Sequence, residues 1–327
     1  MLRSRLFEKA VQDLWDQGKI SGEMHLGMGE EAIAAGVVCQ MQSGDAMALD
    51  HRGTPPLIMR GVDPVLLLRE FLGRPDGLCK GMGGHMHLFV PQELAASSGI
   101  VGASGPAGVG FALAAQYLRP GNLAVAFFGE GAVNQGMMME SLNLSVAWNL
   151  PVIFVCKDNG WAITTPSPQV TGGNLAQRVE GFGMPVTHVD GSDVEAVWQS
   201  ARTAMQRARD GGGPTFLLAR CMHVEGHFLG DPLLRIGRSP WHEIPAMAGA
   251  LLRSMARIKG ASLRDRIQGA RSILDMILGS NRDSLARKFD PILTSRQKLQ
   301  EQVELPELEN EVRQEVEALV ATALGTL

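Results

Sequence analysis

The stretch from 125 to 164, VAFFGEGAVNQGMMMESLNLSVAWNLPVIFVCKDNGWAIT, restricts the fold more than any other part of the chain. An apolar run, Val125 to Phe128, is closed by Gly129-Glu130-Gly131; a helix-compatible segment follows, then a second apolar run from Val152 to Cys156 that ends at Asp158-Asn159-Gly160. Short apolar runs bounded by turn residues, with a helix length between them, predict strand, helix, strand. A right-handed crossover brings both strand ends to one edge, so Glu130 and Asn159, 29 positions apart, are expected at the carboxyl ends of neighbouring parallel strands. A carboxylate, an amide oxygen and bare glycine backbone then share a crevice. Such a set suits a hard cation carrying a diphosphate, because magnesium takes few protein oxygens and completes its shell with phosphate and water. The triplet alone leaves another reading open, in which the acid merely caps the following helix of a dinucleotide fold.

Elsewhere the pattern agrees. Leu6, Val11, Leu14 and Trp15 mark a helix over 3–18, and Gly29-Glu30-Glu31-Ala32 opens a second with acids in its first turn, where the helix dipole favours them. A short apolar strand precedes His51-Arg52-Gly53, and a helix is predicted from Pro64 to Leu72. The segment GPAGVGFALAAQYL is a helix with a Gly and Ala face; its Gly105, Gly108 and Gly110 reverse the dinucleotide fingerprint and follow no clear strand. Strands are expected over 186–189 and 215–220, a helix over 193–209 capped by the acids of VDGSD, and an acidic helix from Pro306 to Leu324. The expected fold is α/β: a three-layer sandwich around a mainly parallel sheet, with helical ends.

Composition excludes several classes. The 327 residues carry a formal net charge of −4 and no basic block, which argues against a nucleic-acid surface. No run of eighteen apolar residues suggests a membrane span, and the amphipathic, acid-containing start does not resemble a secretory signal, so a cytoplasmic location is expected. Cys39, Cys79, Cys156 and Cys221 are scattered without a Cys-x-x-Cys pair, which points to reduced, packed thiols rather than a disulfide framework or zinc site. His85 and His87 lie close together in KGMGGHMH, yet no third ligand stands at metal spacing. His25 is placed either in a substrate channel or simply packed.

Gly-acid-Gly, a gap just under thirty, and an Asn closing VIFVCKDNGWAITTP resemble the thiamine diphosphate motif of the alpha subunits of 2-oxo acid dehydrogenase first components, of pyruvate, branched-chain and acetoin type. The likeness runs from about residue 20 to 235 and resumes near Asp290. It implies thiamine diphosphate contacts at Gly129, Glu130, Gly131, Ala132, Asn159 and Trp161, with Glu130, Asn159 and the Trp161 carbonyl holding Mg2+. It also implies a cofactor role for His51 and a diphosphate-binding role for Arg52, whose guanidinium fork suits two phosphate oxygens. Ser98 to Ala103 resembles a GIVGA segment in which backbone groups of Gly99 and Val101 hold the aminopyrimidine ring, and the glycine-rich stretch 80–89 resembles a loop that shapes the pocket. His227 of Gly226-His227 takes the catalytic and diphosphate role.

Four positions depart from the family pattern. Glu30 stands in place of Gln, Thr54 in place of a His, Glu225 where pyruvate-type members often carry a second His, and Glu130 in place of Asp. The extra methylene of Glu130 pushes its carboxylate about one bond length outward, against a cation that demands oxygens at about 2.0–2.1 Å. Replacing it by Asp is therefore expected to tighten magnesium-dependent binding.

The resemblance further implies an E1 beta partner in an α2β2 heterotetramer, a lipoyl-bearing E2 acyltransferase, and oxidative decarboxylation of a 2-oxo acid with acyl transfer to lipoyl, or acetoin cleavage. A cofactor-binding subunit with little turnover is the alternative suggested by Glu130 and Thr54. An NAD-dependent oxidoreductase is another, weakened by the absence of a Gly-x-Gly-x-x-Gly turn with an acid about twenty residues later. The chain is expected to form one alpha-subunit domain, 1–237 plus 289–327. Residues 238–288 make a helical insertion, with Leu251, Leu252, Met255 and Ile258, then Ile267, Ile273, Leu274, Ile277 and Leu278 on amphipathic faces broken by Gly260 and Gly279.

Overall fold

The computed structural model describes residues 1–230, 289–300 and 304–325, with residues 264–269 and a few single positions between them. Apart from those positions, the helical insertion expected over 238–288 lies outside the described residues.

A seven-stranded sheet forms the middle layer. In chain order its strands are β1 (Ala46–Leu49), β2 (Phe89–Val90), β3 (Ala95–Ser97), β4 (Ala124–Gly129), β5 (Val152–Asp158), β6 (Val186–Asp190) and β7 (Thr215–Arg220). In space they run β2-β3-β1-β4-β5-β7-β6, and every neighbouring pair is parallel except β2 with β3. Val152 to Lys157 on β5 are buried, the near-continuous apolar run expected of a strand covered on both faces.

The sheet's two faces show why alternation along each strand matters. Ile153 and Val155 of β5 join Met47, Leu49, Val125, Phe127 and Leu217 on the face covered by α1 (Leu2–Asp16), α2 (Glu31–Val38), α3 (Thr54–Arg60), α4 (Pro64–Phe71) and α8 (Val194–Arg209). Val152, Phe154 and Cys156 join Ala48, Ala126, Phe128 and Phe216 on the other face, covered by α5 (Ser104–Leu118), α6 (Gly136–Ala147) and α7 (Leu175–Glu180). Period-two alternation thus puts Lys157 on the same face as Ile153 and Val155, beneath α2. The helix α5 sits close to the sheet because Gly108 lacks a side chain: a Cβ there would lie 2.8 Å from that of Ala126. One sequence expectation needs correcting, since α5 does follow a strand, β3, seven residues upstream. The run Ala95-Ala96-Ser97 is too short and too small to be read as a strand from periodicity.

The C-terminal helices α9 (Pro291–Leu299) and α10 (Leu305–Leu324) return to the N-terminus. Arg5 binds Glu31 and reaches Asp290 at 3.0 Å, and Asp290 also caps α9 by accepting from the Ile292 amide. One buried guanidinium thereby ties α1, α2 and the chain's final section together.

Candidate active site at the carboxyl edge

Parallel strands deliver their ends to one edge, and the polar residues that follow β1, β4, β5 and β7 converge there. Glu130 follows β4 in a 3-10 turn, Glu130–Asn134, and is 3% exposed. The Asn159 amide after β5 donates to its Oε2 at 3.4 Å, and the Ser167 hydroxyl donates to its Oε1. The expected pairing of these two strand ends is therefore present. Ser167 opens a 3-10 turn, Ser167–Gln169, directly after a two-stranded hairpin that pairs Trp161–Ala162 with Thr165–Pro166. Burial, with Asp158 adding repulsion, pushes the Glu130 carboxyl up to about 7 although Ser167 pulls it back.

These residues fit a bound cation and diphosphate. A carboxyl group raised by burial gains most from a nearby positive charge, and Asn159, whose backbone N–H reaches that carboxylate, also carries a side-chain amide oxygen. At Gly129 a Cβ would meet nothing closer than the Lys157 carbonyl at 3.9 Å, so the turn leaves open space for an approaching group. Gly131 and Ala132 continue the turn, and Trp161 follows Asn159, whose Oδ1 accepts from the Trp161 amide at 3.0 Å.

Arg52, to which the resemblance gives a diphosphate role, lies beside Glu30 at the same edge. It is 2% exposed, and its guanidinium donates to the carbonyls of Leu26 and His227. It thus pins His227's backbone. Gly99 and Val101 lie in the turn between β3 and α5, with Val101 exposed on the surface.

Around Arg52 stand four imidazoles. The rings of His25 and His51 are 4.6 Å apart, those of His25 and His227 5.3 Å, and His85 stacks on His25 at 5.6 Å. The His25 amide donates to His85 Nε2 at 3.1 Å. Burial, then the charge of Arg52, lowers His25 and His227 to about 3 and His85 to about 4. His51 falls to about 2 through burial and Arg52, against the opposing pull of Asp50. All four are neutral near pH 7, and each ring can accept or give a hydrogen bond. His85 is buried in this group while His87 is exposed, so the two do not form the paired site their spacing suggests.

Sequence reasoning missed a buried polar chain beneath the edge. Lys157 Nζ donates to Glu30 Oε2 at 2.7 Å and to Asp50 at 2.9–3.0 Å. His223, after β7, meets Glu30 Oε1 at 2.7 Å through Nε2 and Asn159 Nδ2 at 2.8 Å through Nδ1. Burial would lower the Lys157 ammonium, but Asp50 and Glu30 outweigh it and hold it above the usual lysine value. Burial likewise pushes Asp50 up, and Lys157, His51 and Arg52 together bring it down to about 2. Glu30, Cys221 and His223 present ligand-type atoms within 4.8 Å of one another, yet the ammonium of Lys157 already supplies the cation that Glu30 faces. A signal existed in the sequence: a lysine inside VIFVCKD occupies an otherwise apolar central strand.

The mainly parallel, helix-covered sheet with its polar groups gathered at the carboxyl edge has a counterpart among solved structures. A transketolase from Campylobacter jejuni superposes with a TM-score of 0.52 at 14% identity, over 74% of this chain and 42% of that one, a likeness of fold. The dehydrogenase E1 component family model matches residues 1–253, and the chain belongs to that family. Its relatives include the alpha subunit of acetoin:2,6-dichlorophenolindophenol oxidoreductase from Bacillus subtilis, 42% identical over 233 residues, 71% of this chain and 70% of that protein. The alpha subunit of the pyruvate dehydrogenase E1 component from Zymomonas mobilis is 37% identical over 235 residues, 71% of this chain and 66% of that one. Among the described residues no helix is long and apolar enough to cross a membrane.

Proposed function

We propose that this chain is the alpha subunit of a thiamine diphosphate-dependent dehydrogenase that cleaves acetoin or a pyruvate-like 2-oxo acid and passes the acyl group to a lipoyl carrier. The observation that carries the reading is the meeting of Glu130 with Asn159 at adjacent parallel strand ends. Glu130, Asn159 and the Trp161 carbonyl would hold Mg2+, while the backbone of Gly129, Gly131 and Ala132 would approach the diphosphate. When bound, thiamine diphosphate supplies an electron sink for the broken carbon–carbon bond. The chain's own residues bind and orient it. His51 and His227, as neutral imidazoles, are suited to hydrogen-bond the diphosphate or to move a proton at a ring nitrogen. Arg52 positions His227 through its carbonyl and contributes positive charge to the pocket. Backbone at Gly99 and Val101 would meet the aminopyrimidine.

An E1 beta partner in an α2β2 assembly, a lipoyl-bearing E2 and a cytoplasmic setting belong to the same reading, as does a helical insertion over 238–288. The acetoin arm draws support from relatives named for acetoin at 42% identity, the pyruvate arm from those at 34–37%. The test assays the chain with acetoin, pyruvate and branched-chain oxo acids and an artificial electron acceptor. No turnover by the chain alone, and turnover with its beta partner, is expected. Robust turnover by the isolated chain would reject the two-subunit reading.

A further inference from the structure

We infer that His223 is a positioning residue that orients Asn159, and that Glu30, Lys157 and Asp50 exist to hold His223 in the one tautomer that does so. The inference rests on Asn159 being a cation ligand, as proposed above, and adds how its oxygen is aimed.

The hydrogen-bond chain permits one consistent assignment. A carboxylate oxygen only accepts, so the 2.7 Å contact between Glu30 Oε1 and His223 Nε2 puts the ring proton on Nε2. The Trp161 amide donates to Asn159 Oδ1 at 3.0 Å, so the side of the amide plane that faces Nδ1 is the donor and Nδ1 accepts. The Asn159 atom 2.8 Å away is thus the amide nitrogen, Nδ2. The amide is planar, so Oδ1 points away from His223, towards the Trp161 amide. Reversing the ring tautomer reverses the amide and turns a donor towards the cation position.

The remaining members fix Glu30. Lys157 holds its Oε2 at 2.7 Å and reaches Asp50 at 3.0 Å. Asp50 in turn accepts from the Arg52 amide at 3.1 Å. The ends of β1, β5 and β7 are thus linked by a continuous, partly buried chain, joined by Glu30 from the position just before α2. Gly29 allows this approach: it adopts φ +105°, and a Cβ there would lie 1.8 Å from the Met222 carbonyl, next to His223. Groups that orient a metal ligand from behind commonly change metal affinity by about 10–100-fold when removed.

Titration of the full chain with thiamine diphosphate at fixed Mg2+, and with Mg2+ at fixed thiamine diphosphate, tests this. His223→Leu should weaken magnesium-dependent binding by about 10–100-fold, and His223→Gln, which can accept from Asn159 and donate to Glu30, should recover most of it. Nitrogen NMR of the labelled histidine in the parent chain provides a readout that folding defects do not mimic: Nε2 should carry the proton and Nδ1 should be bare. A protonated Nδ1 overturns the inference. So does a His223→Leu chain that binds as the parent does while Asn159→Ala does not bind, an outcome that leaves the ligand role of Asn159 intact. If Asn159→Ala binds like the parent, the ligand reading itself fails, and the inference with it.

Discussion

Glu70 offers the clearest test of how the pocket wall is built. It lies on α4 with no exposed surface, and its carboxylate accepts from the amides of Cys79, Gly81 and Gly83 at 2.7, 2.8 and 2.7 Å. A single side chain therefore folds the glycine-rich loop that carries His85 to His25. Each hydrogen bond to a charged group contributes about 1.5–3 kcal/mol, so three give about 4–9 kcal/mol before relaxation. The loop amides are only part-buried and can recruit water, which reduces the net cost of Glu70→Ala to about 3–5 kcal/mol. Glu70→Gln keeps one acceptor oxygen and should cost about half as much. Urea unfolding measures the total, and amide hydrogen exchange reads residues 79, 81 and 83 individually. Loss of protection at those three amides is expected in Glu70→Ala. A destabilisation below about 1 kcal/mol, with the three amides still protected, would refute this reasoning.

Glu8 predicts a pH dependence. Burial, helped by repulsion from Glu31 and Glu30, pushes its carboxyl up to about 8, although the Gly27 amide at 2.8 Å pulls it back. The folded chain therefore holds this proton more tightly than the unfolded one. That contribution is complete below the ordinary value near 4.5 and is lost as pH rises through about 8. Glu8→Gln should remove about 2–4 kcal/mol of the stability decline between pH 5 and 9, and an unchanged decline in urea midpoints counts against it. Glu130→Asp should tighten magnesium-dependent cofactor binding in metal titrations; equal or weaker binding means that Ser167 seats the longer acid as a fitted ligand. Gly29→Ala should destabilise by about 3 kcal/mol or more, since its φ is +105° and the Met222 carbonyl fills the Cβ position; a thermal midpoint equal to the parent's contradicts the packing described.

Much of the fold was legible because the periodicity was strong. The runs 125–128 and 152–156 and the strand 215–220 are all in place, and Asp193 caps α8 by accepting from the Glu195 and Ala196 amides. The small strand β3 was not legible, because Ala and Ser carry little strand signal. In the site, the pairing of Glu130 with Asn159 followed from crossover geometry alone. The partners of Glu30 did not: Lys157 and His223 lie 127 and 193 positions away, and only the sheet order brings them together. Arg52's turn towards carbonyls was equally hidden, since residue type shows a guanidinium's charge but not which acceptors surround it.

The central claim, that the edge formed by β4 and β5 holds a diphosphate cofactor through a cation, is tested most directly by calorimetric titration of the full chain with thiamine diphosphate. The parent chain and Asn159→Ala are each measured with Mg2+ and with a chelator. The account predicts binding by the parent only when Mg2+ is present, and no binding by Asn159→Ala. Equal affinity with and without the metal, or undiminished binding by Asn159→Ala, would contradict it.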